Sequence, residues 1–346
     1  MSLTNLLLLG QGSDLASERG VSCEGELPAP SDPDLIERAK KARAALGSRA
    51  MILGHHYQRD EVIAFADITG DSFKLAQAAA ANSSAEYIFF CGVHFMAESA
   101  DILTSAEQKV ILPDLKAGCS LSDSAPAVLF KKFKDKYPDH KVITYINCSS
   151  EIKALSDIIC TSSNAKAIID SLPPEQPIIF APDKNLGAYL NKVTGRNMIL
   201  WNGSCMVHEI FSLEKITKLK IRHPEAKFIA HPECEEQILA LADFIGSTTA
   251  LLKFSQQNPC KEFIVATEAG ILHQMQKQCP DKIFIPAPPN NSCACNNCPF
   301  MKLNTLEKLY ISMKYELPEI IMDKELRLAA KKPIDKMLEI SKKNKI

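Results

Sequence analysis

Lys141-Val142-Ile143-Thr144-Tyr145-Ile146 opens a set of four short β-like runs, continued at 157–160, 177–181 and 197–201, which alternate with helical patterns and lead to Cys205. The same set stands before it, at 50–54, 66–69, 87–91 and 109–112 ahead of Cys119, and after it, at 227–230, 243–246, 262–266 and 282–285 ahead of Cys298. Strand alternating with helix predicts parallel α/β layers, and recurrence of the whole set predicts three copies of one unit. The fold expected is therefore α/β, a pseudo-threefold triplication of a small parallel-sheet domain. The boundaries expected are an arm over 1–33, repeats over 34–122, 123–208 and 209–300, and C-terminal helices with a lysine-rich tail over 301–346. Helices are expected from near Ala125, from an N-cap at Ser212, and over 305–313 and 324–342.

The 346 residues exceed one ordinary core and suffice for two or three. Lys plus Arg number 40 against 41 Asp plus Glu, so no global basic field would draw the chain to nucleic acid or anionic lipid. The apolar run Leu6-Leu7-Leu8-Leu9 follows no basic residue and is too short for a secretory or membrane segment, and no twenty-residue apolar stretch occurs. A soluble cytoplasmic protein is the expectation. Twelve cysteines without an export signal read as thiols in a reducing compartment, not as a disulfide framework. Cys91, Cys148, Cys160, Cys234, Cys260 and Cys279 lie in or beside apolar segments and are expected to be buried or inert, and Cys23 in the arm has no specific role.

Cys119, Cys205 and Cys298 differ, because each follows the last run of its copy, at steps of 86 and 93 residues, and symmetry would bring them to one point. Soft sulfur ligands from three copies point first to an iron–sulfur cluster and second to zinc. In Cys293-Ala294-Cys295-Asn296-Asn297-Cys298-Pro299 a zinc ribbon would lack its second close pair, and a thioredoxin-like pair would sit early in the chain rather than here. Three thiolates leave a fourth metal position open, which distinguishes a catalytic metal from a structural one.

Open parallel sheets bind ligands beyond the carboxyl ends of their strands. There the copies are polar: His55-His56-Tyr57, Tyr145-Ile146-Asn147 and His231-Pro232-Glu233 follow the first runs, matched through Tyr57, Tyr145 and His231 at offsets of 88 and 86. After the second runs stand Gly70-Asp71-Ser72, Thr161-Ser162-Ser163 and Gly246-Ser247-Thr248, each expected to open a helix whose N–H groups and dipole favour carboxylate or phosphate. One such Ser or Thr alone would be an N-cap. Three at matching positions predict a shared anion pocket.

These residues resemble the quinolinate synthase family. The likeness runs from about Ile36 to the last helix and rests on Gly54-His55-His56-Tyr57, Gly70-Asp71-Ser72, Ala117-Gly118-Cys119-Ser120, Thr144-Tyr145-Ile146-Asn147, Thr161-Ser162-Ser163, Ala181-Pro182-Asp183-Lys184, Trp201-Asn202-Gly203-Ser204-Cys205, His231-Pro232-Glu233, Gly246-Ser247-Thr248 and Cys298-Pro299-Phe300-Met301. The resemblance implies three domains around one [4Fe–4S] cluster held by Cys119, Cys205 and Cys298, with the fourth iron facing the substrate. It implies condensation of iminoaspartate with dihydroxyacetone phosphate to quinolinate, with loss of phosphate and water, in NAD biosynthesis. An L-aspartate-oxidising enzyme that supplies iminoaspartate is the protein partner it suggests. Tyr57 and Glu233, supported by His208, are the proton-transfer groups so implied, and His55, Ser72, Tyr145, Asn147, Ser162, His231, Ser247 and Thr248 the groups that hold the substrates. Some members carry Cys-x-x-Cys-x-x-Cys with a disulfide between neighbouring cysteines; Cys293 and Cys295 stand in Cys-x-Cys-x-x-Cys, a departure from that pattern.

His94, His140, His223 and His273 read as structural donors, and His56 is expected to face away from the pocket because alternate residues at a strand end face opposite sides. His208 either lines the site or holds the cysteine loop. Tyr57 and Tyr145 are either acid–base groups or core aromatics with a bonded hydroxyl. Two other readings stand beside this one: an open-iron hydro-lyase acting on a hydroxy-acid, and a non-catalytic iron–sulfur redox or iron sensor. A sensor would not need polar residues repeated in all three copies.

Overall fold

The computed structural model describes residues 26–290 and 296–346, together with the backbone of Gly20 and Val21. The rest of the arm before residue 26, with Cys23, and the pair Cys293 and Cys295 lie outside the described residues.

Three sheets follow one plan. In the first, Ala50–His55 lies between Ile68–Gly70 and Tyr87–Cys91, with Lys109–Ile111 beyond, all parallel. In the second, Lys141–Tyr145 lies between Ile158–Cys160 and Ile178–Ala181, with Ile199–Leu200 beyond. In the third, Lys227–Ala230 lies between Phe244–Ile245 and Glu262–Ala266, with Ile283–Pro286 beyond. The expected α/β triplication is thus observed, with the predicted runs on the observed strands. Every residue of Tyr87–Cys91 and of Ile178–Ala181 is buried, as parallel strands covered on both faces require. The first sheet is extended by Glu319–Ile320, antiparallel to Lys109–Ile111, and the backbone of Gly20–Val21 pairs antiparallel with that strand.

The chain forms two compact units. One comprises Met1–Ala127, Ile146–Leu155 and Pro299–Pro333 and contains the first sheet, with a core that includes Leu35, Ile52, Phe89, Ile111 and Leu309. The other comprises Val128–Tyr145, Ser156–Cys298 and Ile334–Ile346 and contains the second and third sheets, with Phe211, Ile216, Phe228, Ile238 and Ile264 packed together. Among the described residues no helix is long and apolar enough to cross a membrane.

One aspartate per copy locks the first strand to the second. Asp67 Oδ2 accepts from Ile52 N at 2.7 Å, Asp157 Oδ2 from Val142 N at 2.8 Å and Asp243 Oδ2 from Phe228 N at 2.8 Å. The backbone N–H of each aspartate returns a bond to the carbonyl of the same strand residue. Arg43, Lys141 and Lys227 pair with the three carboxylates.

Helices follow the second strands of the first and third copies at once, as Ser72–Ala81 and Thr248–Gln257, capped by Asp71 Oδ1 on Lys74 N and Ser247 Oγ on Ala250 N. Gly70 and Gly246 permit the tight turn: a Cβ there would stand 2.8 Å from Lys74 Cβ and 2.9 Å from Ala250 Cβ. Cys160 has that place in the second copy, and its helix, Ala165–Asp170, starts later. Residues 161–163 therefore form a turn ahead of the helix rather than its first residues, closed by Asn164 Oδ1 accepting from Thr161 N at 2.7 Å. Ser212 caps Leu213–Arg222 as expected, through Lys215 N, and the helix expected near Ala125 is Ala127–Lys134.

Replacing Asp157 or Asp243 by Ala leaves a strand N–H without its acceptor, and each is expected to cost about 1–3 kcal/mol. Asn at either position keeps an oxygen acceptor and should lose less. Thermal and urea denaturation read the difference, and alanine variants as stable as the parent would remove the lock from this account.

Candidate functional site

The aspartate lock sets which residues of the three copies correspond. Pairing Ile52, Val142 and Phe228 through their aspartates aligns His55 with Tyr145 and His231, and two residues later Tyr57 with Asn147 and Glu233. The match of Tyr57 with Tyr145 and His231 expected from sequence is therefore corrected. Its cause is physical: strand-end loops of unequal composition look alike in several alignments, and only pairing to the second strand selects one.

In the second unit the strand ends of its two sheets join in one polar chain centred on Glu233, which is buried with 2% exposure. Tyr145 Oη donates to Glu233 Oε1 at 2.8 Å. His208 Nδ1 lies 3.2 Å from Glu233 Oε2, within ion-pair distance, and this buried nitrogen has no other hydrogen-bond partner among the described residues. His208 Nε2 meets Thr267 Oγ1 at 3.0 Å. His231 stacks on His208 with centroids 4.8 Å apart, and its Nε2 lies 3.3 Å from Ser162 Oγ. Ser163 Oγ donates to Ser247 Oγ at 2.9 Å, next to Thr248 at the head of its ten-residue helix. Asn185 Nδ2 donates to the Glu233 carbonyl at 3.2 Å.

Burial pushes the Glu233 carboxyl up, but His208 and His231 and the hydroxyl of Tyr145 outweigh it and hold the group below the ordinary carboxylate range. It is ionised at neutral pH. Asp183 nearby goes the other way: burial and the charge of Glu233 raise it to about 7.

The histidines of the first and third copies are set alike. His55 Nδ1 accepts from Tyr57 N at 3.2 Å, and His231 Nδ1 accepts from Glu233 N at 3.4 Å. Each ring then carries a proton on Nε2, in the neutral form and equally in the charged form that acidifies Glu233, which makes both donors. In the first unit the His55 ring also meets Tyr57 edge-on at 4.5 Å, and both are buried. Ser72 begins its helix there, and Asn147 Oδ1 is buried without a hydrogen-bond partner among the described residues. His56 is buried too, and burial pushes its imidazole down to about 4, so it is neutral.

The cysteines divide by environment. Cys91, Cys148, Cys160, Cys234 and Cys279 are buried, and burial pushes the thiols of Cys91 and Cys148 up to about 12 and 11 and that of Cys234 well above its usual value. These five are buried, as expected. Cys260 departs from the expected burial: it is half-buried, and its Sγ donates to the carbonyls of Glu225 and Glu262. Cys119, Cys205 and Cys298 are half-buried in loops, and the first two directly precede the short helices Ser120–Asp123 and Met206–Glu209. Two of them are anchored by carboxylates that sequence reasoning missed. Asp183 Oδ2 accepts from Cys205 N at 2.9 Å, and Glu268 Oε1 accepts from Cys298 N at 2.9 Å. Asp183 stood within a quoted motif, yet nothing local says that its partner lies 22 residues on.

Donor atoms of Cys205, His208 and Glu233 all lie within 4.8 Å of one another. Thiol, imidazole and carboxylate at that spacing fit a sulfur-held metal group with polar groups facing it.

The family described as quinolinate synthetase A protein matches residues 35–339. A quinolinate synthase of Nostoc punctiforme is 59% identical over 317 residues, covering 92% of this chain and 95% of its own. One from a Nostoc sp. is 61% identical over 292 residues (84% and 90%), and one from Chloroherpeton thalassium 58% identical over 313 residues (90% and 96%).

Alkylation of the native, metal-free chain at mildly alkaline pH should label Cys119, Cys205 and Cys298 well before Cys91, Cys148 and Cys234, because only thiols that reach solvent and ionise react. Peptide mass spectrometry at timed quenches measures the order, and equal labelling of Cys91 and Cys205 would contradict the division drawn above.

Proposed function

Because this chain belongs to the quinolinate synthetase A family, we propose that it condenses iminoaspartate with dihydroxyacetone phosphate to quinolinate, releasing phosphate and water, as a cytoplasmic step of NAD biosynthesis. The observation that carries this reading is the polar chain Tyr145–Glu233–His208–His231–Ser162 with the sulfur of Cys205 beside it. It combines proton-transfer groups, anion donors and a soft metal ligand in one place. An L-aspartate-oxidising enzyme is the proposed source of the imine.

Cys119, Cys205 and Cys298 are the proposed holders of one [4Fe–4S] cluster. When bound, such a cluster with one iron lacking a protein ligand supplies a Lewis acid for the dehydration steps.

The side chains divide the remaining work. His55 and His231, protonated on Nε2, donate to substrate carboxylate or phosphate, with Ser72, Ser162, Ser247, Thr248, Tyr145 and Asn147. The helices beginning at Ser72 and Thr248 add the positive ends of their dipoles. Glu233 and Tyr57 move protons, with His208 in support. Held down by His208, His231 and Tyr145 alone, Glu233 is too acidic to be a strong base. A dianionic substrate set against His208 and His231 offsets their field, which raises Glu233 toward the pH at which it takes and returns a proton.

Anaerobically reconstituted protein should form quinolinate from the two substrates; a full complement of iron and sulfide without any product would sink the reading. Cys119→Ala, Cys205→Ala and Cys298→Ala should each lose the cluster by iron analysis and visible absorption, while Cys295→Ala keeps it. For Tyr57→Phe and Glu233→Gln, kcat is expected to fall on the order of a hundredfold with iron content unchanged. Ser72→Ala and Thr248→Ala should instead raise KM first.

Tyr145→Phe removes a hydrogen bond that stabilises the Glu233 carboxylate, so the Glu233 pKa rises. The acid limb of the kcat/KM profile should accordingly move to higher pH, and a profile superimposable on the parent would remove Tyr145 from that role.

A further inference from the structure

Asp183 and Glu268 stand at equivalent places. Each comes two residues after the end of its third strand, Ile178–Ala181 and Glu262–Ala266, and each is almost wholly buried. One oxygen of each carboxylate serves the chain that follows directly: Asp183 Oδ1 accepts from Asn185 N at 2.7 Å and Leu186 N at 2.9 Å, and Glu268 Oε2 from Gly270 N at 2.7 Å. The other oxygen reaches across to the N–H of Cys205 or Cys298, both at 2.9 Å. The first copy has Val93 at this place, with no carboxylate, and there His94 N donates to the carbonyl of Ala117. The device is thus built into two of the three cysteine loops.

We propose that Asp183 and Glu268 are positioning residues for the sulfurs of Cys205 and Cys298, a proposal that rests on the reading of these cysteines as cluster ligands. Each carboxylate fixes the backbone at its cysteine, and so sets where Sγ stands. It also takes up a backbone N–H that would otherwise be available to a cluster sulfur. Hydrogen bonds to sulfur help set the potential of an iron–sulfur centre, so withholding this one favours the oxidised form.

A helix cap at Asp183 and a local turn at Glu268 would account for half of each contact, and one substitution separates the two roles. In Asp183→Asn and Glu268→Gln the amide oxygen still accepts from the following backbone, but an NH2 group then faces the cysteine N–H, donor against donor. Ser212→Ala is the control, since it removes a helix cap from Lys215 N in the same unit without touching a cysteine loop. Each full-length protein is reconstituted anaerobically. Iron and sulfide content, the rate of iron loss to a chelator, the midpoint potential from an EPR-monitored titration, and the melting temperature of the cluster-free form are then measured. Asp183→Asn and Glu268→Gln are expected to lose iron about 10–100-fold faster than the parent and to shift the midpoint potential upward. Ser212→Ala is expected to lower the melting temperature and to change neither. Two amide variants that keep iron at the parental rate and potential, in a parent that takes up the cluster, overturn this proposal alone. A parent that takes up no iron under these conditions overturns the ligand assignment and the proposal with it.

Discussion

A one-residue slip between the first and second strands of any copy would turn His55, Tyr145 or His231 to the opposite face of its sheet, because side chains alternate with period two. The carboxylates of Asp67, Asp157 and Asp243 oppose that slip, each engaging both the N–H and, through its own backbone, the C=O of one residue in the first strand. Three residues later in the chain come the strand-end side chains that carry the chemistry. Their direction therefore depends on a contact made at the far end of the strand, where the aspartate, half-exposed and paired with Arg or Lys, costs little to hold.

Glu233 presents the opposite balance. A carboxylate taken wholly from water carries a penalty of several kcal/mol, and no single neighbour offsets it. Two histidines and the Tyr145 hydroxyl together do. Removing any of them leaves a buried charge partly unpaired, so the group is sensitive to whatever enters beside it. This sensitivity suits a residue that must change protonation during a reaction, and a fully satisfied carboxylate would lack it.

Neighbouring charge also distinguishes Asp183 from Glu233. Both are buried, and each repels the other; the histidines lie with Glu233, so Asp183 takes the upward shift to about 7 and Glu233 the downward one. Two carboxylates pushed apart in this way are a familiar mark of a functional site.

The sequence by itself determined the three-copy α/β plan, because parallel strands buried on both faces read as short apolar runs whose recurrence is visible without coordinates. It also determined the kinds of side chain available at the strand ends and, among the described cysteines, which are buried, apart from Cys260. Tertiary structure decided the rest. That Tyr145 corresponds to His55 and not to Tyr57 follows from pairing with a second strand more than ten residues away, and local pattern contains no such term. That Thr161 and Ser162 precede their helix follows from a cysteine side chain where the other copies have glycine. The partners of Asp183 and Glu268 are not legible in sequence, because a carboxylate's partner is chosen by folding: a backbone N–H 22 or 30 residues along the chain becomes an acceptor's neighbour only once the loops between the strands have been brought together.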